Sequence, residues 1–308
     1  MSIATGSGTQ ADPYIIQNWS EFIEAVGMAG VYVEFPKTLT QTSDTEVNPN
    51  KLYMDSNGVV QTNVQNSDLP NLYENSFVLD ANNYMPNGIT TTITFTCADL
   101  NGYGGTIKNL ASQTTDLNIL TLASTVHMSQ IAFLNIDCNN CNFIAAYYNN
   151  DLKDIEKCIF SGRVDCQSTH YFENTRMMTY RSCAFNVELY NNSKFTFANS
   201  GAGYAHFRYC RINTEDYTSN TSSTQNVEIT NSYWTGNSIS NIYVTMDSYD
   251  YTVFDLTCSL ISATNGAIKD YTFVNSDKCS DTSGAVGVTT AQLSDATYLA
   301  SLGFPIQI

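Results

Sequence analysis

A six-residue pattern that recurs about every 25 residues, a spacing typical of repeat proteins, constrains the fold of this chain more than any other feature. It has a large apolar residue first, a turn-forming residue third, a cysteine or another small apolar residue fourth, and an apolar residue sixth. The clearest copies cover residues 131–136, 155–160, 180–185, 207–212 and 229–234. With the fourth position as anchor, the copies fall at 110, 134, 158, 183, 210, 232 and 258. Repetition of this kind predicts a solenoid.

The period matches one turn of a three-faced parallel β-helix. Leucine-rich repeats have a similar period, but their LxxLxL consensus and helical half are missing here. We therefore predict an all-β chain folded as a right-handed parallel β-helix with about 25 residues per coil. Alternation along each strand turns the first, fourth and sixth positions inward. The third position lies at a bend, where asparagine tolerates the left-handed conformation, as Asn109 and Asn231 would.

The fourth position also predicts a ladder of cysteines inside the helix. Coils stack about 4.8 Å apart, so Cys158, Cys183 and Cys210 would lie above one another. The chain has nine cysteines, an odd number, and its first residues lack the pattern of a signal peptide. We expect free, mostly buried thiols made in a reducing compartment.

The two ends are predicted to be helical. Residues 18–30 have an apolar side and Ser20 as a candidate N-cap, and this helix would cover the open end of the bore. Residues 290–303 read as a second amphipathic helix. The predicted division is an N-terminal cap at 1–40, an irregular insertion or early coils at 41–90, the parallel β-helix at 91–285, and a C-terminal helix and tail at 286–308.

The charge of the chain argues against two classes of partner. Thirteen basic and 29 acidic residues give a net charge of −16. Such a chain lacks the cationic surface that nucleic acid binding requires, and it is repelled by anionic membranes. No membrane insertion is expected, because every apolar run is too short for a helix that crosses a bilayer.

The candidate site residues follow from the predicted register. Glu156, Arg181 and Arg208 occupy equivalent outward positions on successive coils. They form either a solvated charge ladder, with Glu156 paired to Arg181, or a surface of one carboxylate and two arginines that faces a polysaccharide. Tyr233 is a further candidate contact, because an exposed tyrosine offers apolar area with a polar tip.

No catalytic residue, metal or cofactor is predicted. Glycan hydrolysis needs a pair of carboxylates, and the acidic residues considered for it are Glu156, Asp165, Glu173, Glu215 and Asp216. Cys138 and Cys141 have CxxC spacing but lack a second pair of ligands. Asp247 and Asp250 read as a loop. Neither a nucleophile elbow nor a phosphate-binding loop is present in the sequence.

Both termini carry a resemblance to known proteins. Residues 6–16, followed by Trp19, Phe22 and Ala25, resemble the opening of right-handed parallel β-helix surface proteins of bacteriophages, of the fibre, spike or head-fibre type. Residues 292–305 resemble a closing segment of such proteins, and both segments are also similar to ones in gut-bacterial adhesins. The resemblance implies the fold and brings no catalytic residue with it.

These observations lead to one functional hypothesis and two alternatives. The hypothesis is a non-enzymatic virion protein, a fibre, spike or capsid-surface component made in the host cytoplasm, with host-surface carbohydrate as a candidate ligand. Its expected partners are other virion proteins and copies of itself, with a trimer favoured. The alternatives are a polysaccharide-depolymerising tailspike enzyme, which needs an acidic pair, and a bacterial adhesin, which predicts a signal peptide.

Overall fold

The chain folds into a stack of parallel β-coils, as the repeat predicts. The computed structural model describes residues 5–62, 64–122, 126–146, 153–165, 172–174, 178–190, 197–198, 204–217, 226–230, 232–239, 242–243, 252–258, 261–262, 272–279 and 285–302. Each coil pairs in parallel with the coil before it and the coil after it. The predicted mostly-β solenoid with short helices near the termini is confirmed.

The strands form three main faces, which we call faces 1, 2 and 3. Face 1 contains Tyr14–Ile15, Tyr32–Glu34, Asp99–Asn101, His127–Ser129, Lys153–Glu156, Met178–Arg181, Tyr204–Arg208 and Asn226–Thr230. Face 2 contains Val78–Asp80, Thr106–Lys108, Ala111–Ser112, Ala132–Asn139, Ile159–Asp165, Ala184–Tyr190, Arg211–Tyr217, Tyr233–Ile239, Thr252–Cys258, Thr272–Asn275 and Val286–Val288. Face 3 contains Ile93–Phe95, Asn118–Leu122, Asn142–Ala146, Phe172–Asn174 and Phe197–Ala198. A further parallel pair joins Ile242–Tyr243 to Ile261–Ser262.

The bend between faces 1 and 2 is made by one left-handed residue per coil. These corner residues are Gln130, Lys157, Ser182 and Tyr209, with φ of 58°, 52°, 52° and 55°. The predicted bend at the third position of the repeat is present at Lys157, Ser182 and Tyr209, although none of these residues is asparagine. Asn109, with φ of 62°, lies at a second bend, between the strands Thr106–Lys108 and Ala111–Ser112 of face 2. Asn231 lies outside the described residues.

The register differs from the predicted anchors at both ends of the repeat. The column next to the corner contains Ala132, Ile159, Ala184, Arg211, Tyr233, Val253, Phe273 and Val286. Leu134 pairs with Lys108, and Cys258 pairs with Ile239, so 110, 134 and 258 are wrong as anchors. A bulge between Phe133 and Ile136 shifts the register there. Successive members of the column lie farther apart in the chain before Arg211 than after it, so the coils are not of equal length.

The predicted ladder of thiols is present inside the solenoid. Cys158, Cys183 and Cys210 are buried and free. Cys183 Sγ donates to the carbonyl of Ile155 at 3.4 Å, and the other two thiols make equivalent bonds to the preceding coil. Burial raises the pKa of the Cys158 thiol to about 12, so it stays protonated. The expectation of free thiols fails at Cys279, which is disulfide-bonded.

Stacked aromatic rings fill the bore beside the thiols. The rings of Phe133 and Phe160 stack with centroids 5.3 Å apart, and those of Phe160 and Phe185 stack at 5.1 Å. Tyr180 and Phe207 form a second stack at 5.0 Å. All five side chains are fully buried, so the core is a set of columns that continue from coil to coil.

A helix at Trp19–Val26 covers the N-terminal end of the stack. Its N-cap is Asn18 and not Ser20, because Asn18 is extended and its Oδ1 accepts a hydrogen bond from the Glu21 backbone N–H at 3.1 Å. Phe22 packs edge-on against Phe95 and Phe35 of the first coils. The helix therefore buries the apolar end of the bore.

The C-terminal segment forms two short helices where one was predicted. They cover Thr290–Leu293 and Ala296–Ser301. Asp295 separates them because its carboxylate accepts hydrogen bonds from the backbone N–H groups of Thr297 and Tyr298, at 2.9 and 3.2 Å, and so starts a second helix. Among the described helices, none has the length and apolar character that a membrane crossing requires.

A lobe interrupts the first coils. Leu39–Gln41 pairs antiparallel with Tyr73–Asn75, and residues 42–72 between them form the lobe. It contains a short 3-10 helix at Asn66–Asn71 and its own apolar cluster of Tyr53, Leu69 and Leu72. The chain then rejoins the stack at Val78–Asp80, before a second 3-10 helix at Ala81–Asn83.

Candidate functional site

The predicted charge ladder lies on face 1 in the expected register. Glu156 pairs with Arg181 across the coils, and Arg181 pairs with Arg208. The predicted ion pair is wrong, however: Arg181 Nη2 lies 3.6 Å from Asp154 Oδ1. Glu156 instead lies 3.6 Å from Lys157 Nζ. These side chains are more than a third exposed apart from that of Lys157, so the pairs contribute little to stability.

His127 joins two carboxylates of the same face. Its Nδ1 lies 2.5 Å from Asp99 Oδ1, and its Nε2 lies 3.9 Å from Glu156 Oε2. The hydrogen bond to Asp99 raises the pKa of His127. Asp99 and Glu156 are two coils apart, about 10 Å along the stack. The imidazole lies between the two carboxyl groups and fills the space that the attacking water of an inverting glycosidase would need.

The other sequence candidates do not form a site with these residues. The side chains of Asp165, Glu173, Glu215 and Asp216 lie outside the described part of the chain, as do Asp247 and Asp250. Cys138 and Cys141 are both buried and neither forms a disulfide, and a hydrogen bond with Cys138 lowers the pKa of Cys141. Among the described residues, no group of three His, Cys, Asp or Glu could hold a metal ion.

Tyr233 lies on face 2, under the C-terminal helices. Its hydroxyl donates to Asp255 Oδ2 at 3.3 Å, and Asp255 also accepts hydrogen bonds from Lys278 and Asn275. Its ring packs with the apolar cluster that includes Leu293. Burial raises the pKa of Tyr233. These contacts explain Tyr233 by packing, at a place apart from the ladder of face 1.

A cleft of about 880 Å³ lies between the lobe and the corner of the solenoid. The solenoid wall consists of three corner residues and the adjacent column of face 2. The side chains of this wall are Lys157, Ser182, Tyr209, Ile159, Cys183, Ala184 and Arg211. The lobe wall consists of Val47, Asn48, Pro49, Lys51, Leu52, Tyr53, Val60, Gln61, Thr62, Val64, Gln65, Asn66 and Ser67. The volume is in the range of sites for small ligands.

The charged side chains that line the cleft are all basic among the described residues. Lys51, Lys157 and Arg211 line it, and no described residue of either wall is acidic. Two of these cations are ion-paired: Lys51 contacts Asp44 and Glu74 behind the wall, at 3.1 and 2.7 Å, and Lys157 lies 3.6 Å from Glu156. Arg211 makes no ion pair within the described residues. The cleft thus presents only basic charged side chains in a chain of net charge −16, with Arg211 as its unpaired cation among the described residues.

Hydrogen bonds hold the lobe wall in place. The Tyr53 hydroxyl donates to Asp44 Oδ2 at 2.7 Å and accepts from the Asn48 backbone N–H at 2.9 Å. Burial raises the pKa of Tyr53 to about 12, so this donor persists at neutral pH. Asn186 of face 2 donates to Asn50 Oδ1 of the lobe at 3.3 Å. The cleft is therefore formed before any ligand enters.

Sequence reasoning did not find this cleft. Its walls come from segments that are distant in the chain, and the lobe has no periodic pattern. One signal was available: the third position of three successive repeats carries Lys157, Ser182 and Tyr209, which are not turn-forming asparagines.

Compared with protein-family models, curated proteins and solved structures, the chain gives no match.

Proposed function

We propose that this chain is a non-enzymatic structural protein of a bacteriophage particle, of the fibre, spike or capsid-surface type, and that it contacts the host surface. The main support is the position of the two segments that resemble phage β-helix proteins. The first supplies the strand Tyr14–Ile15 and the covering helix Trp19–Val26. The second follows the last strand of face 2, Val286–Val288. The resemblance therefore concerns the segments that begin and close the solenoid.

The solenoid suits a part that projects from a particle. Each coil hydrogen-bonds to its neighbours along the whole stack, and stability then accumulates coil by coil. The described strands therefore present their outward side chains at regular intervals along the stack. The preformed cleft beside Tyr209 is the place on this surface where a host carbohydrate would bind.

We further propose that the protein assembles with other virion proteins and with copies of itself, as a trimer. Closed rotational symmetry is the usual arrangement of identical chains. Light scattering of the purified chain measures this directly, and a monomeric mass at micromolar concentration would count against self-assembly.

Antibody labelling tests the proposed location. Antibody raised to the purified chain is applied to phage particles released from cells that produce it, with pre-immune serum as the control. Label at the tail tip supports a role in host recognition, and label on the head supports a head-fibre or decoration role. Label on the surface of intact cells, with none on particles, would replace this proposal with a bacterial adhesin.

The second candidate is a polysaccharide depolymerase, in which His127 would have to leave the space between the carboxylates of Asp99 and Glu156. Asp99, His127 and Glu156 form a set of acid–base groups on face 1. Incubation with host polysaccharide, followed by measurement of new reducing ends, tests it. Release of reducing ends that is lost in Glu156→Gln but kept in Arg163→Gln would make the protein an enzyme. No release, together with labelled particles, supports the structural role.

A further inference from the structure

We propose that the cleft between the lobe and the corner residues binds an acidic oligosaccharide. Arg211, Lys157 and Lys51 would contact its anionic groups, and the ring of Tyr209 would pack against a sugar. The choice of a sugar rests on the proposed contact with the host surface. The anionic character rests on the cleft itself.

The charge distribution favours an anionic ligand. With 29 acidic and 13 basic residues, the average surface of this protein repels anions. Three of the basic residues nevertheless line one cleft, and no carboxylate lines its described walls. Carboxylates lie behind Lys51 and Lys157, so Arg211 carries most of the attraction for an anion. A guanidinium matches the two oxygens of a carboxylate or sulfate group with a pair of parallel hydrogen bonds. Arg211, which lacks an ion pair among the described residues, is free to make them.

The uncharged polar side chains of the cleft favour a sugar. Side-chain amides and hydroxyls can both donate and accept, as sugar hydroxyls do. Besides its two tyrosines, the cleft has seven such side chains, which are Asn48, Gln61, Thr62, Gln65, Asn66, Ser67 and Ser182. A small anion such as phosphate would leave most of a space of about 880 Å³ unused.

Tyr209 supplies an exposed aromatic ring at the cleft. Its residue is 50% exposed, although the buried positions of the same repeat hold the other aromatic rings. Its backbone is left-handed, a conformation that a bulky residue rarely adopts. Lys157 and Ser182 share this conformation, so the fold requires the backbone shape here but does not require an exposed ring. An exposed ring offers the apolar platform on which the C–H face of a sugar packs.

The same features disfavour other anions. A nucleic acid needs a long cationic track, and the cleft ends at the lobe, with a strongly acidic protein around it. An acidic peptide would use the cations, but it would not need the amide-rich lobe wall. A short acidic glycan uses both.

Binding of defined oligosaccharides to the full chain tests the inference. The probes are galacturonate, sialylated and sulfated oligosaccharides, each compared with its carboxyl-reduced or desulfated counterpart by calorimetry at low and high salt. We expect at least one acidic probe to bind and its neutral counterpart to bind at least tenfold more weakly. High salt should reduce the affinity for the acidic probe, because it screens the attraction between charges. Arg211→Gln should reduce affinity about tenfold or more, because it removes a charge-assisted contact. Arg163→Gln on face 2, outside the cleft, should leave affinity unchanged.

Three results would overturn the inference. They are no binding to any acidic probe, binding that Arg211→Gln and Lys157→Asn both leave unchanged, and equal binding of polyglutamate or single-stranded DNA. Circular dichroism of each variant separates lost binding from lost folding, and Lys157→Asn keeps a residue that accepts the corner conformation. Labelled particles without acidic-glycan binding would reject this inference alone. Acidic-glycan binding without labelled particles would reject only the virion role.

Discussion

At the scale of single residues, the fold restricts the backbone conformation at the corner between faces 1 and 2 but does not restrict the side chains there. Gln130, Lys157, Ser182 and Tyr209 all adopt the left-handed conformation. For a residue with a Cβ atom, this conformation costs about 1–2 kcal/mol. The fold requires the backbone shape at these positions and leaves the side chain free. The choice of lysine, serine and tyrosine beside the cleft is therefore not explained by folding.

This reasoning gives a prediction for Tyr209→Asn. Asparagine tolerates the left-handed conformation better than tyrosine, so the free energy of unfolding should stay equal or rise by up to about 1 kcal/mol, while glycan binding weakens. Guanidinium unfolding and calorimetry measure the two effects, with Ser182→Asn as the matched corner substitution. A loss of more than about 1 kcal/mol in Tyr209→Asn would mean that the ring supports the fold.

His127 gives a prediction on pH. The hydrogen bond to Asp99 raises its folded-state pKa above the ordinary value of 6.5. The protonated form is thus favoured by folding, so its stabilisation is complete below pH 6.5 and disappears as the pH rises through the folded-state pKa. His127→Gln should therefore destabilise the protein more at pH 5.5 than at pH 9. Urea unfolding of both proteins at the two pH values measures this, and an equal or larger loss at pH 9 would contradict it.

Residue positions were only partly predictable from the sequence. The inward cysteines followed from period-two alternation, because burial leaves a strong pattern in residue type. The bend at the third position of the repeat also followed, but the residue types of the corner did not, because glutamine, lysine, serine and tyrosine all adopt the left-handed conformation there. The pairing of Arg181 with Asp154 was also missed. It depends on side-chain rotamers, which the spacing of residues does not specify.

At the scale of elements, the solenoid is held by columns of like side chains. Phe160 lies between the rings of Phe133 and Phe185, with interplanar angles of 4° and 16°. It is fully buried, so a cavity at this position would affect three coils at once.

We expect Phe160→Ala to lower the free energy of unfolding by about 3–5 kcal/mol, because it loses both burial and ring contacts and leaves a cavity. Phe160→Leu, which keeps most of the apolar volume, should cost less. Chemical unfolding of both variants measures the difference. A cost below about 1.5 kcal/mol for the alanine variant would show that neighbouring coils collapse into the space.

The elements show where the repeat pattern was sufficient and where it was not. The N-terminal helix followed from its amphipathic spacing, although its cap, Asn18, precedes the expected Ser20. The C-terminal helix was predicted as one piece, because the spacing of Leu293, Leu299 and Leu302 is helical across the break. The capping carboxylate of Asp295 ends that continuity through a local hydrogen bond that apolar spacing does not reveal.

At the scale of the molecule, the two ends of the lobe lie next to each other where the chain leaves the stack and returns to it. The Thr42 backbone N–H donates to the Leu72 carbonyl at 2.9 Å, just beyond the antiparallel pair. The lobe also has its own apolar cluster. These features make it a part that can be removed without opening the stack.

Replacing residues 43–71 with Asn-Gly, which favours a tight antiparallel turn, should leave the solenoid folded and abolish glycan binding. Far-ultraviolet circular dichroism and calorimetry measure the two outcomes, and Arg211→Gln in the intact chain is the comparison. Glycan binding that survives the deletion would place the ligand elsewhere. An unfolded product would show that the stack depends on the lobe.

The cleft could not be predicted at this scale. Its lobe wall belongs to a polar stretch without period, and the contact between Asn50 and Asn186 joins segments far apart in the chain.

The unequal length of the coils was not predicted either. The chain from Tyr233 to Val253 is shorter than the chain from Ala132 to Ile159, so the later coils are shorter than the early ones. A single mean period hides this difference, because the average combines long early coils with short late ones.

The corner residues beside the cleft repeat at an even interval of about 4.8 Å, the stacking distance of the coils. Their chemistry does not repeat: Lys157, Ser182 and Tyr209 present an ammonium, a hydroxyl and a ring in that order. A linear polymer lying along this row meets a sequence that differs when read from either end. The cleft therefore has a direction, and a chain with distinct ends fits it one way round.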